Sequence, residues 1–145
     1  MIDNALAKAI ACLKINDVWQ VKVNAYLDSS LETAVRFPDD HEVRYKHIIQ
    51  KSLWGDYDGE DENNHILRAF IEVGIRYVSS VEDGSADAPD ILAQIEAVYV
   101  AEYLSEDDPG EDAIKVFVNR NASFHIWPFW REFVISQCNR MNLPR

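Results

Sequence analysis

Apolar and polar residues alternate with a period of two through the middle of the chain and follow a helical period at its ends. From Leu13 to Leu27, the residues Leu13, Ile15, Trp19, Val21, Val23, Ala25 and Leu27 fall on one side and Lys14, Asn16, Gln20, Lys22 and Asn24 on the other. That is the pattern of a long half-buried strand. A second strand, Val43–Trp54, places Val43, Tyr45, His47, Ile49 and Leu53 together. A third, His65–Val78, turns Leu67, Ala69, Ile71, Val73, Ile75 and Tyr77 inward, and a fourth, Ile91–Leu104, does the same with Ala93, Ile95, Ala97, Tyr99, Ala101 and Tyr103. The connections Gly55–Asn64 and Ser79–Asp90, the latter with Asp83-Gly84, are polar, rich in turn residues and too short for crossover helices. Strands two to four are therefore expected to form an antiparallel meander. The longer stretch Asp28–Glu42, with Val35, Phe37 and Pro38, is expected to cross over and place strand one elsewhere in the sheet, in a Greek-key arrangement.

Helices frame the strands. Asp3 is placed to cap a short helix through Ala11, and Pro109-Gly110-Glu111-Asp112 opens another containing Ala113, Ile114, Phe117 and Val118. Asn119–Ser123 reads as a break. A terminal helix, Ser123–Met141, follows, in which Trp127, Trp130, Val134, Cys138 and Met141 share one stripe flanked by Phe129 and Phe133. Pro128 is expected in its first turn, because an interior proline costs about 3 kcal/mol. The fold class predicted is α+β: a four-stranded antiparallel Greek-key sheet with a short N-terminal helix and a long C-terminal helix packed on one face.

The length of 145 residues fits a single domain over residues 1–145, large enough to form a core without staples. Cys12 and Cys138 lie at opposite ends with no C-x-x-C spacing and are expected to be reduced thiols of a cytoplasmic protein. No apolar run approaches the ~18–20 residues of a membrane span, and the start Met1-Ile2-Asp3-Asn4 has no signal-peptide character, so no membrane association is expected. A formal charge of -11 disfavours nucleic acid and anionic lipid and leaves basic or unfolded polypeptides as partners. The charge is uneven: from Lys115 onward, Lys115, Arg120, Arg131, Arg140 and Arg145 face the single acid Glu132. Such a segment suits either a solvated helix face or a contact with the acidic part of another chain.

The chain contains no phosphate-binding loop, dinucleotide fingerprint, nucleophile elbow or H-E-x-x-H pair. Asp56-Tyr57-Asp58-Gly59-Glu60-Asp61 has its glycine at the fourth position, where a calcium loop needs it at the sixth, and reads as an acidic hairpin tip. His41, His47, His65 and His125 are scattered over separate elements. Neither a cofactor, a metal nor a catalytic residue is expected. Aromatic residues carry more information. Tyr26, Trp54 and Phe70, with Val18, Ile48, Val98 and Val100, fall on the nominally outward phase of their strands, so the second sheet face is also partly apolar. It could be covered by the chain's own helices, by another subunit, or by an apolar peptide.

The segment Asn121-Ala-Ser-Phe-His-Ile-Trp-Pro-Phe-Trp-Arg-Glu-Phe-Val134, followed by Arg140-Met-Asn-Leu-Pro144, resembles the SecB-like chaperones. The shared pattern is N-A, an aromatic-Pro-aromatic step, Arg-Glu-aromatic-aliphatic, and a basic residue leading to Leu-Pro. Glu72–Val78, Ile91–Leu104 and the N-terminal helix into Leu13–Val18 match more loosely. The resemblance implies an ATP-independent holdase for unfolded polypeptide, assembled as a dimer of dimers. Client contacts are then expected at Tyr26, Val35, Phe37, Trp54 and Phe70, with surrounding carboxylates favouring basic segments. Subunit contacts are expected at Trp127, Trp130, Phe133 and Val134. Export chaperones of this family continue past Leu-Pro into a further helix and a tail that engages the SecA motor. With Arg145 as the last residue here, the expected client is instead the antitoxin of a toxin–antitoxin system, with general protein export as the alternative. A rival of another class is a small curved-sheet α+β enzyme or ligand-binding protein using a His and an Asp in a pocket.

Overall fold

The computed structural model describes residues 4–56, 65–80 and 88–144. The expected cap at Asp3, most of the acidic hairpin tip, the Asp83-Gly84 turn and Arg145 lie outside them. Helix α1 (Asn4–Cys12) leads into strands β1 (Lys14–Leu27), β2 (His41–Asp56), β3 (His65–Ser79) and β4 (Ile91–Ser105), and α2 (Glu111–Arg120) and α3 (Ala122–Arg140) follow. All strand pairs are antiparallel, in the order β1-β4-β3-β2. This is the predicted Greek key: the meander β2-β3-β4 returns to lie beside β1, and the long crossover takes the chain from one edge of the sheet to the other.

The three helices lie over one face. Leu67, Ala69, Ile71 and Val73 of β3 and Ala93 to Tyr103 at alternate positions of β4 are buried there with Ile114, Phe117, Val118, Ile126 and Trp130. Small residues at 69, 93, 97 and 101 let the helices approach the two central strands closely, whereas β1 and β2 are largely exposed. Gly110 takes a left-handed φ of 96°, which favours glycine, and its N–H donates to Asp108 Oδ1 at 2.8 Å. Glu111 and Asp112 follow in the first turn of α2, where the helix dipole favours acids.

Three β-bulges in the edge strands correct the predicted strand faces. A residue inserted in one strand without a partner reverses the side of everything after it. Around Asn16 the register slips, so Val18 and Gln20 turn to the helices and Trp19 turns away. A second slip around Val21 restores the phase for Val23, Ala25 and Leu27. Arg68 lies over the Trp19 ring at 5.5 Å, and its Nε donates to Glu102 at 2.8 Å, with Asn16 Nδ2 on the other carboxylate oxygen. The third slip, around Gln50, brings Trp54 opposite Leu67 on the helix side and leaves Leu53 exposed on the other. Trp54, outward by strict alternation, thus packs against the core.

On the helix-free face Gly74 sits between Lys46 and Glu96, and a Cβ there would come within 2.9 Å of Glu96 Cγ. This close approach lets Glu96 meet Arg76 Nη2 at 3.2 Å and Lys46 Nζ at 3.4 Å, while Lys46 also holds Glu72 at 2.6 Å. The Glu72–Lys46 hydrogen bond holds the Glu72 carboxyl below its usual range and raises the Lys46 ammonium.

Two features of α3 depart from expectation. The break before it is confined to Asn121, so the helix starts at Ala122 and Pro128 lies in its interior, at the seventh residue. The ring removes the N–H that would have met the Phe124 carbonyl, and Phe124 stands on the exposed side, where a freed carbonyl is cheapest. The inward stripe runs through Ala122, Ile126 and Trp130 to Val134, Cys138 and Met141, so the predicted stripe holds from Trp130 onward, and only Trp127, 58% exposed, departs from it. The helix ends as a Schellman motif: Asn142 has φ 55°, Leu143 N donates to Cys138 O at 2.9 Å, and Leu143 is buried. Tyr77 Oη donates to Pro144 O at 2.9 Å and fastens this Leu-Pro terminus to the sheet.

Candidate functional site

Because α2 and α3 sit over the central strands, the helix-side face of the edge strand β2 is left beside an open trough. Three depressions follow one another along it. The first, of about 510 Å³, lies between His41, Val43, Tyr45 and Tyr77 of the sheet and Val134, Ile135 and Cys138 of α3. The next, about 320 Å³, is walled by Tyr45, His47, Ile71 and Val73 against Ser123, Ile126, Trp127 and Trp130. The last, about 560 Å³, lies between Ile49, Ser52 and Trp54 and Ile114, Val118 and Asn119 of α2, with Asp108, Glu111, Lys51 and Lys115 around it. The walls are apolar, and several of the larger side chains stay open: Tyr45 is 81% exposed, and Val43, Trp127 and Ile135 are also exposed. Among the described residues β2 has a single sheet neighbour, β3, and its other edge carries main-chain donors and acceptors that no described strand pairs.

The five residues expected to bind client do not form one surface. Trp54 is in the trough, stacked on His65 with ring centroids 5.1 Å apart. Phe37 stands at the other end of it, edge-on to Tyr77 at 5.4 Å and to His41 at 5.1 Å, with the fully exposed Val35 beside it in the crossover. Tyr26 pairs with Gln94, and Phe70 with Val100, on the opposite, helix-free face, where Lys51 Nζ lies 4.7 Å from the centre of the Phe70 ring. Val43, Tyr45 and Ile49, which line the trough and are not among the expected client contacts, do face the inward side as their alternation requires. What the alternation could not show is that α2 and α3 stand beside that stretch of the inward side and leave it partly open. Among the residues expected at subunit contacts, Trp130 is 7% exposed and belongs to the core, Phe133 and Val134 are half-buried, and Trp127 is open.

The four histidines stay apart. His41 Nδ1 lies 2.6 Å from Pro38 O, His47 Nε2 lies 2.7 Å from Ser123 Oγ, and His125 Nδ1 lies 2.7 Å from Tyr103 Oη. His65 Nδ1 is buried and lies 3.4 Å from Asp56 Oδ1 without hydrogen-bond geometry, at the end of the β2–β3 ladder. Burial lowers the His125 pKa, and burial raises the phenol of Tyr103 beside it. Three of these contacts brace side chains, while His47 and Ser123 meet in the wall of the 320 Å³ depression, where among the described residues no carboxylate pairs with the imidazole to complete a catalytic relay. No group of three metal-binding side chains occurs among the described residues, no helix there is long and apolar enough to cross a membrane, and both cysteines are free thiols.

No family model and no curated protein sequence matches the chain. Among solved structures, it is similar to a SecB-like chaperone of Mycobacterium tuberculosis determined in complex with a ChAD peptide from the HigA1 antitoxin. The sequences are 17% identical, the TM-score is 0.68, and the match covers 98% of this chain and 92% of the other. At that identity the likeness concerns the path of the backbone, and it extends over nearly every residue: the chain has the fold of a SecB-like chaperone.

Proposed function

We propose that the protein is an ATP-independent holdase that keeps an aggregation-prone polypeptide, the antitoxin of a toxin–antitoxin pair, from self-association. The observation that carries this reading is the apolar trough beside a free strand edge. An extended client can place alternate side chains in the depressions while its main chain meets that of β2, a form of recognition that needs no fixed sequence. Trp54 at one end of the trough, and Phe37 against His41 and Tyr77 at the other with Val35 in the adjoining depression, are assigned to the client. Tyr26 and Phe70 do not line it. The antitoxin peptide bound by the Mycobacterium tuberculosis chaperone supports the choice of client class. We infer further that copies associate, most simply as a tetramer, through the open aromatic side of α3, where Phe124, Trp127 and Phe129 are exposed.

Co-expression with the cognate antitoxin tests the reading. The chaperone should raise the antitoxin's soluble yield and co-purify with it, and Tyr45→Glu should abolish both while leaving the far-UV spectrum unchanged. Retention of export precursors without any effect on the antitoxin would favour the export alternative. Light scattering at micromolar concentration should give a mass well above that of one chain.

A further inference from the structure

His47 stands on the floor of the trough between Tyr45 and Ile49, and its Nε2 lies 2.7 Å from Ser123 Oγ at the start of α3. The pair joins the edge strand to the helix layer: both residues line the 320 Å³ depression, and Ile49, the next inward residue along β2, lines the 560 Å³ one. We propose that His47 and Ser123 form a polar clasp that sets the client's sequence pattern: two apolar anchors four residues apart, with a polar residue midway between them. The inference deepens the chaperone reading above and rests on it.

The pattern follows from strand geometry. A client extended beside β2 turns every second side chain toward the helices, rising about 6.6 Å per two residues, the same rhythm that places Tyr45, His47 and Ile49 in line. A residue meeting the clasp is therefore flanked at two residues on either side by those entering the depressions. The depression beyond Tyr45 is closed by Ile126, Trp127 and Trp130 and suits one large apolar side chain, and the depression beyond Ile49 ends on Trp54. Between them an apolar side chain would strip water from the imidazole and the hydroxyl while offering no hydrogen bond. A polar side chain can use their remaining donor and acceptor capacity. A uniformly apolar segment, the kind most prone to aggregate, is thus not the best ligand of this trough.

Anisotropy of labelled peptides with Phe at i and i+4, and either Asn or Leu at i+2, tests the assignment. Wild type should bind the Asn peptide about fivefold more tightly, the discrimination expected of about one net hydrogen bond. In the double variant His47→Leu, Ser123→Ala the order should invert. Far-UV spectra and tryptophan emission check its fold, and if the double variant does not fold, Ser123→Ala alone should narrow the preference about twofold or more. Equal binding of both peptides by wild type, a preference for Leu, or a preference unchanged in the variants would each overturn the clasp. If a folded wild type binds neither peptide, the trough itself is not the client site and the chaperone reading fails with it.

Discussion

Gly74→Ala probes how the sheet holds its helix-free face together. The new Cβ would lie 2.9 Å from Glu96 Cγ and 3.6 Å from Lys46 Cβ, so the Glu96 side chain must turn aside. In doing so it loosens its contacts with Arg76 at 3.2 Å and Lys46 at 3.4 Å. Overpacking a close contact costs about 1–3 kcal/mol. The displaced ion pairs, half-open to solvent on the cationic side, add about 0.5–1 kcal/mol. Alanine's smaller unfolded-state entropy offsets about 0.4–1 kcal/mol. The net expectation is a destabilisation of about 1–3 kcal/mol, read as a lower urea midpoint at constant m-value from the fluorescence of the four tryptophans. Because the clash is with one side chain, Glu96→Ala should remove most of it, and the two substitutions should show a coupling of about 1 kcal/mol in a double-mutant cycle. A Gly74→Ala that is neutral or stabilising, or a cost that persists in full when combined with Glu96→Ala, would refute the close-approach argument.

Two further outcomes follow from burial. Phe117, 1% exposed and edge-on to Tyr103 at 4.8 Å, should cost about 3–5 kcal/mol on replacement by alanine, whereas Val35→Ala, at a fully exposed position, should stay within about 0.5 kcal/mol, both measured by urea unfolding without client. His125 is packed against Tyr103 and Phe117, and burial lowers its pKa from the ordinary histidine value of 6.5. The folded state therefore resists a proton that the unfolded chain accepts, so stability from this group is full above about pH 6.5 and falls as the pH drops below it. His125→Gln should flatten the slope of stability between about pH 7 and 5, and an unchanged slope would show that other groups set it.

Most of the fold was legible because burial imposes a period. The four strands and both C-terminal helices lie within a few residues of where alternation and helical spacing put them. The errors are equally physical. Trp19 and Trp54 change faces because one unpaired residue upstream of each reverses the alternation, and a bulge at Asn16 or Gln50 has no glycine or proline to announce it. Pro128 belongs to the first turn only if the helix begins after a longer break, but a single residue, Asn121, suffices to separate α2 from α3. The site was harder to read than the elements. An inward-facing Val43 or Tyr45 looks like core in the sequence, and only the placement of the helices over β3 and β4 leaves it open.

Client binding along the helix side of β2 is the feature on which the chaperone reading stands, and photo-crosslinking decides it most directly. A benzoylphenylalanine is placed in turn at Tyr45 in the trough and at Phe70 on the opposite face, in the presence of the antitoxin. Strong capture is expected from position 45 and none above background from position 70. Capture from position 70 with none from position 45 would put the client on the helix-free sheet and contradict the trough as its site.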